Sequence, residues 1–257
     1  MNKKFCDKKK HTFLTITWYG WAMAFINIIL HVGLYKIAYA INKHCPVWSG
    51  FCPCIDNLDS NIPFVPWFFI QIYFLAYLFW FICPLIIAKR SRKETINFFI
   101  GTCAIAVLGF LMFILLPTWQ DRRADGLQEK IDQLKDPFTK FLMNLIYKSD
   151  GGNKTFNMSP SFHCMFSIYA FLAIHRTKEA KLYDKIWIGI MTLLICLSTM
   201  FVKQHYFVDF FVAFILCCVV YPDVHFVIKP GEKILAKSPN FLILDLVEDD
   251  KNDQKNK

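Results

Sequence analysis

The sequence predicts an all-α membrane protein: a bundle of six transmembrane helices, with short interfacial helices in the loop between the third and fourth spans. Composition, charge and their distribution predict it. Of the 257 residues, 55% are apolar and 17% aromatic. Charged residues are 19%, where a soluble domain carries about 25%. This apolar content excludes a disordered chain. Ten Cys, neither dense nor patterned, exclude a small disulfide scaffold. The apolar residues also collect in six stretches almost free of charge.

Those stretches are Thr12–Tyr35, Pro66–Ala88, Ile96–Leu116, Ser161–Ile174, Ile186–Val202 and Tyr206–Tyr221. The first three run 24, 23 and 21 residues without Asp, Glu, Lys or Arg. About 20 apolar residues carry a helix across a bilayer. The last three run 14, 17 and 16 residues, and polar residues at their ends extend them. Five lysines precede the first stretch, but a cleavable signal has an apolar region of about 7–15 residues and a small-residue cleavage site. This stretch is longer and lacks that site, so it reads as a retained span. The chain thus divides into a basic arm (1–11), a six-span membrane domain (12–221) and a tail (222–257) that is disordered from Glu248.

Orientation follows from Lys and Arg in the short connections. The amino-terminal arm, the link with Lys89, Arg90, Arg92 and Lys93, and the link with Arg176, Lys178, Lys181 and Lys185 share one side. That side is cytoplasmic, with both termini on it. The outer side holds the 36–65 loop, the 117–160 loop and the 203–205 turn. The 117–160 loop carries seven basic residues against six acids, a partial exception. Leu127, Ile131, Leu134, Phe138, Phe141, Leu142 and Leu145 recur there at helical spacing, broken at Asp136-Pro137. Two short amphipathic helices follow, lying on the membrane surface or packed as a cap over the spans.

An ionisable residue inside a span points to function. Besides histidine, Asp209 is the only acid or base in the six stretches. His205 precedes it by four and shares its helix face. A carboxylate there accepts an imidazole N–H and leaves the other nitrogen free as nucleophile or base; the plainer role is a helix cap. A second cluster is Ser159-Pro160-Ser161-Phe162-His163. Ser159 reads as a cap and Pro160 as the first helical turn, whose free N–H groups suit phosphate oxygens. A third is Gln120-Asp121-Arg122-Arg123, where paired arginines meet lipid headgroups or clamp a phosphate. The predicted topology brings all three to the outer face, with Lys203 and Ser198. Two histidines, an acid, two serines and three cations make a set for metal-free phosphoryl transfer.

At these residues the chain resembles the type 2 phosphatidic acid phosphatase superfamily of membrane lipid phosphatases. Its Pro-Ser-x-His motif is Pro160-Ser161-Phe162-His163 here. Its Ser-Arg-x5-His-x3-Asp motif runs from Ser198-Thr199 through His205 to Asp209, with Thr199 in the arginine's place. In the earlier Lys-x6-Arg-Pro motif, Arg123 takes the arginine's place, Ala124 the proline's and Leu116 the lysine's. The resemblance covers about Ile96–Tyr221. It implies that His205 attacks phosphorus to form a phosphohistidine, Asp209 orients it, and His163 protonates the leaving oxygen and then activates water. Ser161, Arg123, Ser198 and Lys203 hold the phosphate, with Lys203 and Arg122 replacing the missing charge.

The implied protein is a cell-membrane hydrolase with an outer active site. Its partner is a lipid phosphate such as phosphatidate or a polyprenyl diphosphate. No cofactor, metal or nucleic acid is called for. The alternative is a head-group transferase resembling the sphingomyelin and inositol-phosphorylceramide synthases, which His205-Tyr206-x-x-Asp209 also fits. A non-catalytic lipid-binding relative and a transporter are further alternatives; polar groups gathered at one end rather than along a path argue against transport. Cys45, Cys52 and Cys54 beside His44 lack the spacing of a usual zinc site and read more simply as one disulfide. Asn153-Lys154-Thr155 is an outer glycosylation sequon.

Overall fold

The structure, a computed structural model, describes residues 12–13, 16–44, 50–123, 125–152 and 154–235. The basic arm, Cys45, Asn153 and the chain beyond Leu235 lie outside the described residues, and with them the disulfide and sequon expectations. Cys52 and Cys54 are free thiols.

The first stretch divides in two. Its β-branched start forms a short antiparallel pair, β1 (Thr12–Phe13) and β2 (Ile16–Thr17). Helix α1 (Trp18–His44) begins six residues later than expected and runs on through Lys36 and Lys43. After the single turn α2 (Asp56–Asp59) come α3 (Pro66–Arg90) and α4 (Arg92–Leu115), close to the expected bounds. Ser91 ends α3 and caps α4 through its side chain, which accepts from the Glu94 N–H. The 117–160 segment forms β3 (Trp119–Asp121), α5 (Leu127–Asp132), α6 (Pro137–Ser149) and β4 (Lys154–Phe156). β3 and β4 pair antiparallel, Gln120 opposite Thr155. Helices α7 (Phe162–Arg176), α8 (Leu182–Phe201) and α9 (Phe207–Leu235) complete the chain. The last continues past Tyr221, the expected end of the sixth span.

Among the described residues, four helices are long and apolar enough to cross a membrane: Gly20–His44, Pro66–Arg90, Glu94–Leu115 and Leu182–Phe201. Helix α7 has 15 residues, and the apolar part of α9, Phe207–Tyr221, is also short. Each falls below the roughly 20 residues of a crossing helix. Helix α7 is the packed centre: every residue from Phe162 to Ala170 is buried. Its neighbours α3, α4, α8 and α9 surround it. Gly109 of α4 lets α7 approach, since a Cβ there would stand 2.5 Å from the Phe162 ring. The outer faces of α1, α3 and α8 expose Phe25, Ile29, Trp67, Leu78, Ile190 and Leu193, as expected where lipid is the solvent.

Charge is paired at one end. Arg90 bonds Asp184 at 2.8 Å and Arg176 bonds Glu94 at 2.6 Å. These pairs tie the α3–α4 and α7–α8 turns, the two links expected to share a side. At the other end α5 and α6 bury Leu127, Ile131, Met143 and Ile146 against Ile70, Tyr73 and Val202. This is the cap arrangement. The opposite edge of α6 still exposes Phe138 and Phe141.

Candidate active site

The turn from α8 to α9 is closed by backbone bonds. Gln204 N–H donates to the Thr199 carbonyl at 2.9 Å and Lys203 N–H to Met200 at 3.0 Å. Lys203 takes the left-handed position of this helix stop, with φ 55°. Asp59 then starts α9 by accepting the Phe207 N–H at 2.8 Å. Asp209, fully buried, accepts the Tyr206 N–H at 2.9 Å.

His205 projects from this turn. Its Nδ1 lies 2.9 Å from the Met158 carbonyl and 3.2 Å from Asp209 Oδ2. A carbonyl only accepts, so we assign the proton to Nδ1, shared between both oxygens. Nε2 therefore keeps its lone pair. Burial is the largest single influence on this imidazole and lowers its pKa. The Asp209 hydrogen bond and charge, with Cys164 and the Met158 carbonyl, outweigh it and raise the pKa above the ordinary histidine value.

The segment before α7 is positioned against the same turn. Ser161, not Ser159, is the cap: its Oγ accepts the Cys164 N–H at 3.4 Å, and the helix starts at Phe162. Pro160, joined to Ser159 by a cis peptide, therefore stands before the helix rather than in its first turn. Ser161 N–H donates to the Asp209 carbonyl at 3.2 Å, joining the starts of α7 and α9. This brings the His163 ring centroid to 6.3 Å from that of His205. His163 stacks on Tyr73 at 4.2 Å, with Trp80 and Tyr77 also against it. Its Nε2 is buried and has no hydrogen-bond partner.

Both histidines line one cavity, walled by Tyr35 and Lys36 of α1, Tyr77 of α3, Ile146 of α6 and the loop residue Asp150. The remaining site residues singled out in the sequence do not line it. Ser161 and Ser198 are fully buried, and the Ser198 hydroxyl donates to the Ile195 carbonyl at 2.7 Å. Arg122 is buried behind the wall. Its Nη1 donates to the carbonyls of Tyr147 and Gly152 at 3.3 and 3.2 Å, and its Nη2 to Gln204 Oε1 at 2.9 Å. Its guanidinium also lies 4.1 Å from the Tyr147 ring centroid. Arg123 is exposed, its backbone N–H donating to Asp121. Lys203 lines a neighbouring cavity with Asp59 and Tyr206, its Nζ donating to the carbonyls of Asp59 and Ile62 at 2.7 and 2.5 Å. Among the described residues, no three His, Cys, Asp or Glu side chains gather to hold a metal.

Sequence reasoning missed Lys36, Asp150 and the aromatic shelf under His163. The apolar-run reading places Lys36 in a loop. Lys36 falls four residues after Val32 as Tyr35 falls four after His31, and all four line the cavity, so that paired spacing is the available signal. Asp150 had none, since it reaches the cavity only through the turn after α6.

Apolar helices long enough to cross a membrane surround a buried imidazole–carboxylate pair beside a second imidazole, the architecture of a membrane protein. The chain belongs to the PAP2 superfamily, whose family model matches residues 60–222, well over half of it. Membership makes it a phosphatase or a related phosphoryl-transfer enzyme. Comparison with curated proteins and with solved structures returns no match.

Proposed function

We propose that the protein hydrolyses a phosphate monoester or diphosphate on a lipid, through a phosphohistidine at His205. One observation carries this reading: the His205 Nδ1–H is shared by Met158 and Asp209, which leaves Nε2 as a lone pair at the cavity. Nε2 attacks phosphorus, forming the P–N bond as the P–O bond to the lipid breaks. His163, entering the step protonated at Nε2, gives that proton to the leaving oxygen and becomes neutral. Water then attacks, the neutral His163 takes its proton, and the P–N bond breaks to release phosphate, returning His205 to its neutral form and His163 to its protonated one. The two rings stand 6.3 Å apart, centroid to centroid, close enough for one phosphate at the cavity to meet both.

The cavity wall supports a lipid substrate. Tyr73, Phe74, Tyr77, Leu145 and Ile146 form an apolar side leading from the histidines. The amino end of α7, capped by Ser161, supplies a dipole suited to a phosphate. Arg122 holds Gln204, which lines the wall. The lysine and arginine distribution supports an outer site with cytoplasmic termini.

The experiment is phosphate release from vesicles containing phosphatidate, a polyprenyl diphosphate or a sphingoid phosphate, with and without alcohol acceptors and with EDTA present. Release that persists in EDTA, with acid-labile ³²P on wild type and none on His205→Ala, supports the reading. Product formed only with an alcohol acceptor moves the protein to the transferase branch. Full activity in His205→Ala overturns catalysis at this site.

A further inference from the structure

We infer that Lys36 of α1 is the cation that binds the substrate's phosphate in this cavity. The inference rests on the phosphatase reading and assigns a contact that the motifs do not supply. Three cations singled out by motif or proximity have other placements. Arg122 spends its Nη groups on two carbonyls and Gln204. Lys203 faces the neighbouring cavity and holds the 59–62 segment. Arg123 is exposed and is not in the wall. Among the described residues lining the cavity, Lys36 is the only Lys or Arg.

Its setting suits the task. Nζ donates to the Ser149 carbonyl at 3.1 Å and lies 3.9 Å from Asp150 Oδ1. An ammonium has three N–H donors. The carbonyl takes one, and the long approach to Asp150 aims a second without closing a tight pair. The third is left for a phosphate oxygen. The side chain is half exposed, so the ammonium is hydrated until a ligand arrives. Asp150 and Ser149 keep it at the cavity instead of letting it swing into solvent. The first helix precedes the matched region 60–222, so no family motif would have marked this residue. Leu116 stands where the earlier motif has a lysine, and α1 packs along α4, which ends beside it.

The test uses the full chain in detergent. Wild type, Lys36→Arg, Lys36→Gln and Lys36→Met are compared for phosphatidate turnover and for binding of inorganic phosphate by calorimetry. Loss of one charge-assisted contact should raise KM and the phosphate Kd about ten- to hundred-fold in Lys36→Gln and Lys36→Met. Lys36→Arg should stay within about three-fold, because it keeps the charge. Thermal midpoints should match wild type, since the side chain is half exposed. Wild-type phosphate affinity in Lys36→Gln overturns the inference, whatever the turnover. A wild type that binds phosphate through Lys36 but hydrolyses no lipid phosphate overturns the phosphatase reading and leaves the contact standing.

Discussion

Arg122 Nη2 donates to Gln204 Oε1 at 2.9 Å, joining the loop after α4 to the residue before His205. The same guanidinium holds the carbonyls of Tyr147 and Gly152. It therefore sets the position of the α8–α9 turn as well as closing the cap. Arg122→Met would leave the Gly152 carbonyl and Gln204 Oε1 short of a donor, while the Tyr147 carbonyl still accepts the Gly152 N–H at 2.7 Å. Buried acceptors cost about 1–3 kcal/mol each. The thermal midpoint should fall by roughly 5–10 °C, with turnover falling alongside. A wild-type midpoint with only KM raised would instead make Arg122 a direct substrate contact.

The acid limb of kcat/KM should follow His205. In the proposed reaction the nucleophile is the neutral imidazole, so activity is lost as pH falls through its pKa. That pKa is raised, which sets the limb above the ordinary histidine value of about 6.5. Asp209→Asn removes the largest raising influence and leaves burial, which lowers the pKa. Its limb should move to lower pH while the plateau rate drops. A limb that stays put in Asp209→Asn would separate it from His205.

Packing at Gly109 should matter to chemistry. An added Cβ would stand 2.5 Å from Phe162 and 2.9 Å from Met165 Cε. Phe162 precedes His163, so relief of the overlap moves the general acid. Gly109→Ala should cost about 1–3 kcal/mol and lower kcat. Gly33→Ala is the control: nothing lies within 4 Å of its Cβ, and it should gain up to about 1 kcal/mol of helix propensity. Thermal melts and steady-state rates of both variants decide the comparison.

Sidedness can be read at Gln133, the exposed residue that ends α5. A single Cys there, in a Cys-free background, should react with an impermeant thiol reagent in intact cells. Labelling only after lysis would invert the topology.

The sequence was most legible where apolar runs were long and uncharged. Helices α3 and α4 lie within a few residues of expectation for that reason. The first stretch was not, because Thr12, Thr15, Ile16 and Thr17 favour a strand as much as a helix. The charge of Lys36 marks an end at Tyr35, yet the helix carries both Lys36 and Lys43 and runs to His44. The His163, His205 and Asp209 grouping was visible in spacing, since each sits at or near a helix start. The fate of the cations was not. Lys203 precedes His205 by two, but its left-handed backbone at the helix stop accompanies a side chain that lies in the neighbouring cavity. Asp150 meets Lys36 across more than a hundred residues, a contact no local pattern encodes.

Helix α7 is 15 residues long, or about 22 Å, against a hydrocarbon thickness of about 30 Å. Arg176 at its far end is held to Glu94, near the start of α4, so the shortfall accumulates at the Ser161 end. His163 then sits at the floor of a well whose rim is the cap. A phosphate reaching it leaves the plane of its neighbouring headgroups and sheds part of its water on descent. Bilayer thickness thereby becomes a rate variable: short-chain phosphatidylcholine vesicles, which lower the rim towards the floor, should give faster turnover than long-chain ones.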